Sequence, residues 1–195
     1  MRRGRVVGTE ASFPERPDAA VMDQIVVETR DREMMARCIA LAREGTAAGE
    51  FPFACVICKD GEVLVETTNR VAREKDVTRH AELIAVSEAQ RRLGTTRLDG
   101  CTLYSVVEPC PMCSFPIREA RIDRVVFAIP SPLMGGASRW NVLGDAVLFE
   151  KMPEAFGQAP EVRSGVLQKE AERVWFRSHP LAWGVIRWRG VFGGK

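Results

Sequence analysis

The 195-residue sequence has no apolar run approaching the ~20 residues that a membrane span requires, so no membrane partner is expected. It also lacks a large charge of one sign: 28 Lys and Arg stand against 26 Asp and Glu, a net charge of +2. That balance argues against bulk polyanion binding, which rests on clusters of Lys and Arg. Internal repeats and low-complexity segments are missing as well. The basic start, Met1-Arg2-Arg3-Gly4-Arg5, has no proper apolar stretch and no cleavage site behind it, so a secretory signal is not expected. What is present fits an ordinary globular protein, 46% hydrophobic and 28% charged, long enough for one domain with a sizeable core. Six cysteines could suggest disulfides, but two of them have metal-type spacing in an enzyme-sized chain. Reduced thiols in a cytoplasmic enzyme are the expectation.

Read in order, residues 1–28 form an extension with Pro14 and Pro17 and no regular period. Residues 29–180 form the main domain, and 181–195 an aromatic tail that packs on the domain or on a partner subunit. Asp31 is the expected cap of a helix through Met35, Cys38, Ile39 and Ala42, closed by Gly45 or Gly49. A buried strand over 51–58 leads into an Asp60-Gly61 hairpin turn, and the chain returns from Val63. After a loop over 69–76, residues 81–93 have helix composition, and Gly94 ends them. Residues 101–107 and 124–129 read as strands. Between them Glu108-Pro109 breaks the first strand, and Pro111 suits the first turn of a new helix. A loop over 131–144 precedes Val147-Leu148-Phe149, read as a short fifth strand. Ser164 is the expected cap of a last helix through Val166, Leu167, Val174 and Phe176, ending near Pro180. This order predicts a three-layer α/β/α sandwich around a mixed sheet of about five strands.

One constellation carries chemistry. His80, Cys110 and Cys113 offer three ligands, the number a catalytic zinc keeps when a fourth position stays open for water. Cysteines at i and i+3 share a helix face, and a helix N-terminus favours the thiolate that binds metal. Glu82, two residues after the histidine, is placed to move protons without occupying the metal. The alternative is a closed structural zinc clip, but His179, the only other histidine, sits before Pro180 as an ordinary helix-terminal residue. A second Cys-x-x-Cys, Cys55 to Cys58, lies on a strand, where the two sulfurs point to opposite faces. Those two, with Cys38 and Cys101, read as core thiols.

His80-Ala81-Glu82 followed by Glu108-Pro109-Cys110-Pro111-Met112-Cys113 resembles the cytidine-deaminase-like superfamily. The likeness extends over 51–57, Asn69, Thr102-Leu103-Tyr104 and Ala120-Arg121-Ile122. It points to the branch with guanine, cytosine and tRNA adenosine deaminases. The resemblance implies one Zn2+ per subunit on His80, Cys110 and Cys113, with Glu82 as proton shuttle. It also implies a homodimer and a substrate contact from Asn69, whose alternative role is a turn residue satisfying its own loop. Asp145 falls where guanine deaminases place a carboxylate that reads the purine edge, although a surface turn would also use an aspartate. Phe115 presents a ring to the pocket or simply packs, and Pro116 departs from the family by standing inside a helix. The 135–143 loop resembles that of tRNA deaminases. Trp140, Trp175, Trp183 and Trp188 could stack on bases, with packing as the alternative. The expected activity is zinc-dependent hydrolytic deamination of a free nucleobase, guanine before cytosine. The alternatives are tRNA adenosine-to-inosine deamination, or a silent zinc scaffold that would have no need of Glu82.

Overall fold

The computed structural model describes residues 19–193. Strands β1 (Ala54–Lys59), β2 (Glu62–Thr68), β3 (Cys101–Val107), β4 (Arg124–Ile129) and β5 (Glu161–Ser164) form one sheet in the order β2-β1-β3-β4-β5. β1 runs antiparallel to both β2 and β3, whereas β3, β4 and β5 are parallel, so the sheet is mixed as expected. The Asp60-Gly61 turn has φ of 49° and 83°, the left-handed pair that a tight hairpin demands.

Strand alternation sorts side chains onto two faces. Ala54, Val56, Tyr104, Val106, Val126 and Ala128 pack beneath α1 (Ala19–Ala47), α6 (Gln168–Ser178) and α7 (Pro180–Trp188). Cys55, Ile57, Leu103, Val125 and Phe127 pack beneath α3 (Ala81–Leu93) and α4 (Pro111–Glu119). Cys55 and Cys58 therefore point into different layers, and with Cys38 and Cys101 they are buried core thiols. Two short helices, α2 (Val71–Glu74) and α5 (Ala146–Lys151), complete the fold.

Several local expectations give way to long-range partners. Asp31 is not a cap: α1 starts at Ala19, and Asp31 lies inside it, 1% exposed. Its carboxylate takes both Arg124 amino groups (2.7 and 2.9 Å), Arg163 and the Tyr104 hydroxyl, tying α1 to three strands. The extension expected over 1–28 is thus helical from Ala19, and its earlier part lies outside the described residues. The fifth strand is 161–164 and not 147–149, because Asp145 accepts from Val147 N and starts α5 there. Ser164 closes β5 instead of capping a helix. The predicted loop after Asn69 contains α2, and the tail is helical, with Pro180 opening α7 as it suits a first turn. Pro116 sits inside α4, which continues to Glu119 and is nine residues long. Of the tryptophans, Trp175 and Trp183 are core residues, whereas Trp140 and Trp188 are 58% and 83% exposed.

Candidate active site

The ends of β2, β3 and β4 and the N-termini of α3 and α4 meet at one end of the sheet. His80 is the residue before α3 and Cys110 the residue before α4, each extended (ψ 145° and 169°), so both aim their side chains at the same point. Thr67 Oγ1 donates to Ala81 O at 2.8 Å and fixes the start of α3 against β2. Pro111 occupies the first helical position of α4 and costs no hydrogen bond there.

His80 Nδ1 lies 3.7 Å from Cys110 Sγ and 3.4 Å from Cys113 Sγ, and the two sulfurs are 3.6 Å apart. A tetrahedral zinc with ordinary ligand distances sets sulfurs about 3.8 Å apart and sulfur from nitrogen about 3.6 Å. The three side chains fit that ion without rearrangement, and they are the one such cluster among the described residues. The contact with Cys113 and the nearby His80 bring the Cys110 thiol down to about 4, while Cys113, as donor to that sulfur, is pushed up. His80 is raised, first by its contact with Cys110.

Glu82 is 5% exposed, and its carboxyl pKa is raised by burial. Ser105 Oγ lies 2.8 Å from Glu82 Oε1 and 2.7 Å from Val107 O. A hydroxyl has one proton, so Ser105 donates to the ionised carboxylate. When Glu82 is protonated, Ser105 accepts from it and donates to Val107 O instead. Glu82 is thereby held in place in either protonation state.

These groups open into a small cavity whose walls include Phe53, Asn69, Val107, Met134 and Phe192. Asn69, buried at 4%, donates from Nδ2 to Glu50 Oε2 at 2.9 Å. Phe192 arrives from the chain end, packed edge-on against Phe53 and Trp175. Ser131 Oγ donates to Val191 O, and Gly193 N to Pro130 O, fastening that segment over the cavity.

The chain matches the model of the cytidine and deoxycytidylate deaminase zinc-binding region over residues 28–129, more than half its length. It belongs to that family. The deaminase is 36% identical over 144 residues to the tRNA-specific adenosine deaminase of Bacillus subtilis, covering 73% of this chain and 84% of that one. It is 45% identical over 93 residues to the guanine deaminase of the same organism, covering 47% and 60%. A solved structure from work on A-to-I editing by tRNA:A34 deaminases superposes with a TM-score of 0.59 at 33% identity. That match covers 70% of this chain and 94% of the other. The family is a zinc-binding one, and His80, Cys110 and Cys113 supply the donor set.

Two of the substrate residues expected from sequence are not brought to the deaminase's cavity. Asp145 caps α5 and its backbone carbonyl accepts from Arg118, and Phe115, 45% exposed, faces Phe156. Neither belongs to the cavity wall. Two buried acids were missed. Glu108, inside the motif, accepts from Ser131 N, Ala137 N, Ser138 N and Ser138 Oγ, and so holds the 131–138 loop beside the zinc ligands. Gly135 and Gly136 permit this approach, since a Cβ on either would fall 2.2 Å or less from a Glu108 or Ser114 side-chain atom. The other is Glu50, for which the sequence carries no signal beyond its place after Gly49.

Proposed function

We propose that this zinc deaminase hydrolyses the exocyclic amine of adenosine in a structured RNA of the tRNA class, forming inosine and ammonia. Zinc on His80, Cys110 and Cys113 would supply Lewis-acid activation of the attacking water. Glu82 takes one proton of that water and delivers it to the ring nitrogen, then carries the proton of the added hydroxyl to the departing amine, which leaves as ammonia as the C–N bond breaks and the carbonyl forms. Ser105 keeps its carboxyl in place through both states. Asn69 contacts the base edge, and Phe53, Val107 and Met134 give the ring an apolar slot.

The observation that carries the choice of base is that, among the described residues, the cavity wall holds no free carboxylate besides the proposed shuttle Glu82. Guanine presents N1–H and a 2-amino group, two adjacent donors that a single carboxylate takes together. Asp145 is a helix cap outside the cavity, and the Glu108 oxygens are taken by loop donors. Adenine has no donor besides its reacting amine. The likeness to tRNA-specific adenosine deaminases, broader than that to guanine deaminase, agrees. This replaces the expectation of guanine first and cytosine next.

A second reading, deamination of a free base, is favoured by Phe192, which closes the cavity from the chain end. Supplying the zinc-loaded protein with free bases, nucleosides and an adenosine-bearing anticodon stem-loop separates the readings. Inosine in the stem-loop with little ammonia from guanine is expected, and turnover of guanine alone would contradict the proposal.

The assembly we propose is a homodimer. Exposed Met112 and Phe115 of α4, with Leu133, Trp140 and Val147 of the following segments, give apolar surface suited to a second copy. Among the described residues no helix is long and apolar enough to cross a membrane, and reduced cysteines fit a cytoplasmic setting.

A further inference from the structure

We infer that Glu50 is a positioning residue that fixes which end of the Asn69 amide the nucleobase meets. The inference rests on Asn69 as the base-contacting group proposed above, and does not depend on which base is bound. The two ends of an asparagine amide have nearly the same shape, so packing alone does not decide which faces a ligand. Here chemistry decides it. Glu50 is 2% exposed, and an ionised carboxylate only accepts hydrogen bonds. Its Oε2 takes Asn69 Nδ2 at 2.9 Å, so the nitrogen end is pinned on the Glu50 side. One N–H and the carbonyl oxygen of Asn69 remain for a ligand in the cavity that it lines.

Glu50 is itself held. Arg73 N donates to Oε1 at 2.8 Å and Ala72 N to Oε2 at 3.2 Å, so the carboxylate cannot turn away from Asn69. Three N–H groups from residues 69–73 converge on it, and all three are satisfied by an acceptor-only group. A flipped Asn69 would place its carbonyl oxygen against the carboxylate and lose the charge-assisted bond, so the flipped form is disfavoured by at least about tenfold. Glutamine at position 50 would bring an N–H donor into a space already lined by three N–H groups. Its own nitrogen would then invite the Asn69 carbonyl to turn inward. The alternative is that Glu50 only ties the 70–73 segment to the end of α1, with no bearing on the amide.

A double-mutant cycle distinguishes these roles. Glu50→Gln, Asn69→Ala and the double variant would be assayed on whichever panel substrate is turned over fastest, with zinc content and melting temperature measured alongside. Glu50→Gln should raise KM about tenfold with kcat within about threefold, the pattern of lost ground-state binding. The double variant should lie within about twofold of Asn69→Ala alone, because Glu50 acts through that amide. Losses that multiply would overturn the inference, as would an unchanged KM in Glu50→Gln. If Asn69→Ala itself leaves the kinetics unchanged, the base-contacting reading of Asn69 fails first and the inference fails with it. A readout free of activity is the side-chain NH2 signal of Asn69, assigned by its loss in Asn69→Ala. One of its hydrogens should exchange slowly in the parent protein and quickly in Glu50→Gln. Equal exchange in the two would show that Glu50 does not hold the amide.

Discussion

At the scale of single residues, an acidic side chain's role is set by which donors reach it. Asp31, Asp145 and Glu50 are alike as types and differ in partners. Asp145 accepts from Val147 N two residues on, an ordinary helix cap. Removing it as Asp145→Ala should therefore cost about 1 kcal/mol of stability, read as a melting temperature lower by roughly 3 °C. The kcat/KM for deamination should stay within about twofold; a selective loss on guanine would restore the purine-edge role. The metal cluster was legible because its chemistry is local: Cys110 with Cys113, and His80 with the proposed shuttle Glu82, sit at fixed short spacings at helix starts. Asp31 was not legible. A capping aspartate and a buried ion-pair partner look the same until Arg124 and Arg163, distant in sequence, fold against it. Glu50 and Glu108 escaped for the same reason, since their donors come from other segments.

At the scale of elements, the central strands could be read because they are buried on both faces and form continuous apolar runs. β5 could not: it is a short edge strand with no buried residue, and parallel pairing with β4 is what holds it. The stretch 147–149 is too short to show a period, and the cap at Asp145 decides for helix. The attachment of α1 to the sheet runs through Tyr104, whose hydroxyl donates to Asp31 at 3.1 Å. Burial, followed by the nearby Asp31 carboxylate, raises the Tyr104 pKa above the ordinary value of 10.0. An acid whose pKa is raised on folding stays protonated in the native state after the unfolded chain has begun to ionise. Its contribution to stability is complete below the unfolded pKa and is lost as pH rises through the folded one. Urea midpoints should thus fall as pH climbs above about 10, and Tyr104→Phe should flatten that slope. An equal slope in the variant would place the alkaline sensitivity elsewhere.

At the scale of the whole molecule, one end of the sheet gathers the three zinc ligands with Glu82 and Asn69. Exposed apolar residues stand on α4, where Met112 lies between the two cysteine ligands in sequence and Phe115 follows them, and on the segment after β4. Light scattering should give twice the chain mass, and Phe115→Glu together with Trp140→Glu should shift it toward the monomer; a parent protein that is monomeric at assay concentration would contradict this. The chain-end segment carrying Phe192 closes the cavity, and its course was outside what periodicity could supply, because the tail is short and its partners, Pro130 and Ser131, lie far back in the chain. The central claim is that three ligands and one buried carboxylate perform hydrolytic deamination. Its most direct test is zinc per chain and ammonia turnover of the parent protein beside Glu82→Gln. One zinc in each, with kcat lower by about 10²-fold or more in the variant, is the predicted result. Full turnover by Glu82→Gln, or active parent protein without zinc, would contradict the account.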